Sequence, residues 1–133
     1  MIKVGFVVLE AVLAPIIEPQ EPLYSKLARV DGEDEQQLRC VIREYVRPYF
    51  NSFDSWSKAF ISNTILYFFK VGGFPEGVSL ESLPVPFDLS QDLRMLCLCL
   101  IDELVIQGER FDVLECEYCD DLSLVHRLRR NKS

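Results

Sequence analysis

The chain has 133 residues, of which 49% are hydrophobic and 26% charged, the balance of one globular domain and not of a disordered chain. Its formal charge is −7, and residues 127–133 hold four cations and no acid, so residues 1–126 carry −11. Such a body repels phosphates, which argues against a nucleic-acid partner, and it draws in cationic ones.

Residues 2–13, IKVGFVVLEAVL, are rich in β-branched residues and read as a buried strand or a buried helix. Lys3 before this apolar run invites comparison with a signal peptide. Glu10 interrupts the run, however, and Pro15 directly follows Ala14, the one small-residue cleavage point. Elsewhere the longest unbroken apolar stretch is Met95–Ile101, far short of the ~20 residues that cross a bilayer, so no membrane role is expected. The five cysteines are odd in number and irregularly spaced, which suits a reducing cytoplasm.

Pro15, Pro19 and Pro22 make residues 14–22 an extended connector. After a break at Asp31 and Gly32, Glu33, Asp34 and Glu35 place negative charge where a helix start favours it. Leu38, Val41, Ile42, Tyr45 and Tyr49 then trace an amphipathic stripe, and Pro48 should kink or end that helix near Arg47. Ser52 or Asp54 caps a second helix over 55–70, stopped by Gly72 and Gly73; its apolar ILYFF half suits a central helix, favoured here over a strand of β-preferring residues. Residues 72–87 form a long loop.

Asp88 or Ser90 starts a third helix over 91–107, closed by Gly108. Its inward stripe is Leu93, Leu96, Cys97, Leu100, Ile101, Leu104 and Val105. Beyond it the period changes to two, and an extended segment over 111–118 turns Glu115 and Glu117 to one side. Residues 122–133 form a short helix or strand that frays into a basic tail. The expected fold is mainly α, within the α+β class. It has three or four helices, with a short β-hairpin or one to three strands at the N- and C-terminal ends. Residues 1–126 form a single domain and 127–133 the tail.

Chemistry-bearing motifs are scarce. Cys97 and Cys99 on a helix stand about 200° apart and cannot grip one ion together. A site of Cys116, Cys119 and His126 stays open, but the expectation is of no metal and no cofactor. Glu115, Glu117, Asp120 and Asp121 oppose the thiolate that redox cycling at Cys116 and Cys119 would need. No nucleophile elbow, zinc-protease or phosphate-loop motif occurs, His126 is the one histidine, and pairs such as Asp102–Glu103 are ordinary in an acidic chain. No enzyme is expected. Ten of the fifteen aromatics lie between Tyr45 and Phe74 with few cations among them, which reads as core, while Tyr49 and Trp56 can reach a partner.

The acids remain. Glu109, Asp112, Glu115, Glu117, Asp120 and Asp121 put six in thirteen residues, and Asp31, Glu33, Asp34 and Glu35 form a second cluster. They read as a solvated face that aids solubility or as a docking surface that steers a basic protein. In size and charge the chain resembles the bacterial immunity proteins that neutralise cationic nuclease toxins, including those of contact-dependent growth inhibition. The resemblance implies one-to-one binding of a toxin domain in the cytoplasm, with carboxylates meeting the cations of its substrate cleft. Asp112, Glu115, Glu117, Asp120 and Asp121 are the first candidates for that surface, then Asp34, Glu35 and Trp56. The alternative is an adaptor or assembly subunit that binds through the aromatic window or the 72–86 loop.

Overall fold

The computed structural model describes residues 1–73, 78, 83–89 and 92–131. The fold is mainly α. A short strand β1 (Ile2–Val4) leads into α1 (Phe6–Val12), so the first segment is strand and then helix. Gly5 sits at the junction because a Cβ there would lie 2.2 Å from the Cys119 carbonyl oxygen, and this close approach lets the Cys119 N–H bond the Val4 carbonyl at 2.8 Å. A 3-10 turn (Ala14–Ile16) occupies part of the expected extended connector, and a short helix α2 (Leu23–Leu27) follows it. Pro15 lies in the first turn of the 3-10 segment, where its missing N–H would have no helical partner anyway.

Helix α3 (Glu35–Val41) starts at Asp34, whose carboxylate accepts the Gln36 and Gln37 N–H groups. Pro48 does not end this rod. The helix widens into a π turn (Ile42–Val46) and continues as α4 (Arg47–Asn51), with Pro48 in the first turn of α4. The π turn resets the ladder, so the proline falls where an N–H is dispensable. Helix α5 (Ser55–Val71) follows the sequence expectation closely: Asp54 Oδ1 accepts the Ser57 N–H at 2.8 Å, and Gly72 closes the helix at φ +71°.

Helix α6 (Leu93–Leu104) is shorter than expected. Asp92 caps it, not Asp88, and Ser90 lies outside the described residues, as does half of the 72–87 loop, including Phe74. It ends at Val105, not Gly108; Val105 takes φ +56° and turns outward, 74% exposed, instead of completing the inward stripe. Cys97 and Cys99 point to different sides, yet both are buried, because α6 packs against α5 on one flank and α3 and α4 on the other.

After α6 the chain forms a 3-10 turn (Val113–Glu115), β2 (Cys116–Tyr118) and a second 3-10 stretch (Leu122–Arg127). β2 pairs with β1 in parallel, with Ile2 opposite Cys116, Lys3 opposite Glu117 and Val4 opposite Tyr118. No β-hairpin links them: the strands come from opposite ends of the chain, and six α-helices among the described residues replace the three or four expected. The pair packs on α5, where Phe68 is enclosed by Phe6 of α1 and Tyr118 of β2, with ring centroids 6.3 and 6.2 Å away. Full burial of such a side chain contributes about 2–3 kcal/mol.

The basic end does not fray before residue 131. Phe53 and Arg130 form an antiparallel bridge, and Asp54 N–H donates to the Arg129 carbonyl at 2.8 Å. Buried Ser57 Oγ accepts the Arg129 N–H at 2.7 Å, and the Arg130 guanidinium lies 5.1 Å from the Tyr49 ring centre.

Candidate partner-binding surface

The C-terminal acids share exposure but not direction. Asp112 Oδ1 accepts the Leu114 N–H at 2.9 Å, and this local bond coils residues 113–115 into a 3-10 turn instead of a strand. Glu115 therefore does not share an extended face with Glu117. It joins Glu109 and Asp112 in a groove of about 630 Å³ whose floor includes Ile2, Leu66 and Phe111. Arg110 is the one cation lining it. Among the described residues none of these three carboxylates enters a salt bridge, so their charge is available to a partner.

The other acids are placed differently. Glu117 stands opposite Lys3 in the strand register. Asp121 Oδ1 accepts the Ser123 N–H at 2.9 Å. That bond, with smaller help from Lys3 and Arg127, holds its carboxyl below the usual range. Asp120 lies toward Glu10, whose carboxyl is raised first by burial and then by the Asp120 charge. Asp34 caps α3 as Asp112 caps its 3-10 turn, with Oδ2 also accepting from Gln37 Nε2, but it lies outside the groove. Glu35 meets Arg39 at 3.5 Å.

Trp56 is 54% exposed and stacks on Phe60, 5.4 Å between ring centres. It overhangs a smaller groove of about 320 Å³, also lined by Met1, Lys3, Phe60 and Arg127. Ile2 and Asn63 line both grooves, so Trp56 and the acids Glu109, Asp112 and Glu115 are two ends of one surface. The remaining aromatics of the window are buried or half-buried in the described structure, Tyr49 against Phe53 included.

Cys116 and Cys119 are free and half-buried. Burial, then Glu115 and Asp112, push the Cys116 thiol up, away from the reactive thiolate. Burial also raises the Cys97 thiol to about 12. Among the described residues no cluster of three or more His, Cys, Asp or Glu could hold a metal ion. No helix among them is long and apolar enough to cross a membrane.

The strongest electrostatic feature was not anticipated. Glu103, only 7% exposed, accepts from Arg43 Nε at 2.8 Å and Arg47 Nη2 at 2.9 Å, with Arg39 Nη1 at 3.6 Å. Arg47 Nε also donates to the Glu103 carbonyl at 2.6 Å, and Arg39 reaches Asp102 at 2.9 Å. The Arg43 hydrogen bond leads the causes that hold the Glu103 carboxyl below the usual glutamate range, followed by the charges of Arg43, Arg47 and Arg39. The signal was present in the four-residue spacing of Arg39, Arg43 and Arg47, which puts them on one helical face. This knot ties α3 and α4 to α6, and its charges are satisfied internally.

Comparison with known protein families, with curated proteins and with solved structures finds no significant match for this chain.

Proposed function

We propose that this chain is a non-catalytic binding protein that neutralises a cationic protein partner, of the nuclease-toxin kind, by laying the Glu109–Glu115 groove over its basic cleft. One observation carries the reading: Glu109, Asp112 and Glu115 line the same groove, exposed and outside any salt bridge among the described residues. A fold that pairs Glu103 with three arginines yet leaves these carboxylates open has kept an electrostatic potential that an incoming cation can use. Asp120, Asp121 and Glu117 widen the negative field that steers encounter, while Asp34 and Glu35 serve α3. The partner acts in the cytoplasm in this reading, and inhibition requires only occlusion.

The test is to capture the partner on immobilised chain and measure association rates at low and high salt. The expected partner is basic, and its association slows steeply as salt rises. Glu109→Gln, Asp112→Asn and Glu115→Gln together should slow association by about tenfold or more, with a flatter salt dependence. A partner of acidic or neutral charge, or a rate that ignores the triple variant, rejects the reading.

A further inference from the structure

The groove also has a direction. Trp56, Phe60, Asn63 and Leu66 recur at four- and three-residue spacing along one face of α5, so the joined grooves follow this helix from the Trp56 end to the acidic end. At 1.5 Å per residue that path is about 15 Å long. The two ends differ in charge. Glu109, Asp112 and Glu115 line one, whereas Lys3 and Arg127 line the other together with the exposed Trp56 ring.

β1 gives the path a polar edge. The Cys119 N–H donates to the Val4 carbonyl, and in a parallel ladder alternate residues face the partner strand, so the Lys3 N–H and C=O point away from β2. Among the described residues no main-chain hydrogen bond occupies them.

Resting on the proposed function, we infer that the groove takes a single extended segment of the partner protein, basic at one end and carrying a large apolar side chain about five residues away. About 15 Å of extended chain is about five residues. The lysines or arginines meet Glu109, Asp112 and Glu115; the apolar side chain enters under Trp56, where Lys3 and Arg127 disfavour further cations. Main-chain bonding to the free edge of β1 favours an extended segment over a helix. Charge thus fixes orientation and the Trp56 end fixes register, so a merely basic surface would be a poor ligand.

Trp56 is the only tryptophan, so its fluorescence reports directly on that end. The probes are three capped peptides: Lys-Lys-Gly-Ser-Gly-Leu-Leu, its reversed order, and the first with both leucines replaced by serine. One of the two leucine peptides should bind about tenfold tighter than the serine control. It should also move Trp56 emission to shorter wavelength. Glu109→Gln with Asp112→Asn and Glu115→Gln should abolish both effects, and Trp56→Ala, with binding read by calorimetry, should remove the preference over the serine control. Equal binding of all three peptides overturns the inference while leaving a purely electrostatic docking surface intact. An emission shift that survives neutralisation of the acids overturns it too, by showing that the ends act separately. Failure of the acidic reading itself would show in the captured partner, whose association rate would then ignore the triple variant.

Discussion

At Glu103 a nearly buried carboxylate meets three guanidinium groups, whereas at Glu109, Asp112 and Glu115 three carboxylates stand exposed with one arginine among them. The side chains have the same chemistry and the chain carries a net −7, so the difference lies in what surrounds each. The knot spans α3, α4 and α6, and its bonds replace the water that the Glu103 carboxylate gave up. The groove acids gave up little water and contribute little to stability, which leaves them free to spend their charge on a partner. Acidic residues alone therefore say nothing about function; their partners within the fold decide it.

The comparison breaks most sharply at Glu103. Glu103→Ala leaves Arg43 and Arg47 without their carboxylate and should lower unfolding free energy by about 2 kcal/mol, read by urea denaturation. Partner association should be unchanged. The pH dependence has a definite sign. The Glu103 carboxyl is depressed in the folded protein, so its stabilisation is full above the usual glutamate range and fades as pH falls through that range toward the folded value. Glu103→Gln should flatten the acid limb of the stability profile; an unaltered limb would mean that the knot does not stabilise the fold.

A smaller effect is expected where the two regions join. α6 carries Glu103 into the knot, and the turn at Val105 sends the chain on to Gln107 and Glu109 of the groove. Val105 is β-branched with φ +56°, and the Ile106 N–H closes the turn on the Ile101 carbonyl at 2.9 Å. Val105→Gly relieves that strain and should raise stability by about 1 kcal/mol, read as a higher melting temperature. A loss of stability instead would show that the exposed valine side chain has a packing role in this turn.

The smallest change should come from the groove acids themselves. Neutralising Glu109, Asp112 and Glu115 together, with asparagine keeping the Asp112 cap, should leave unfolding free energy within about 0.5 kcal/mol of wild type. A large loss would make them structural residues like Glu103 and erase the contrast.

Particular residues show how far the chain could be read beforehand. Asp54 and Gly72 delimited α5 because capping and left-handed closure are local events. The mainly α fold followed from three- and four-residue apolar spacing, which also marked Leu38, Val41 and Ile42 as core. Pro48 did not end its helix because a π turn displaced it into a first turn, and Gly108 did not mark the stop of α6 because a strained valine takes the place usually given to glycine. Of the site, the exposure of the acids was readable, but their grouping was not. Asp112 curls its own segment through one hydrogen bond, which parts Glu115 from Glu117.

The sequence by itself determined the helical class, the caps of α5 and the chain's acidic character, since these depend on neighbours within a few residues. Only the tertiary structure decided that β1 meets β2 from the far end of the chain, that Glu103 is consumed by three arginines, and that Trp56 shares a groove with Glu109, Asp112 and Glu115. Those facts rest on contacts between residues far apart in the chain. Such contacts are fixed by how the apolar faces close together, and no local pattern encodes them.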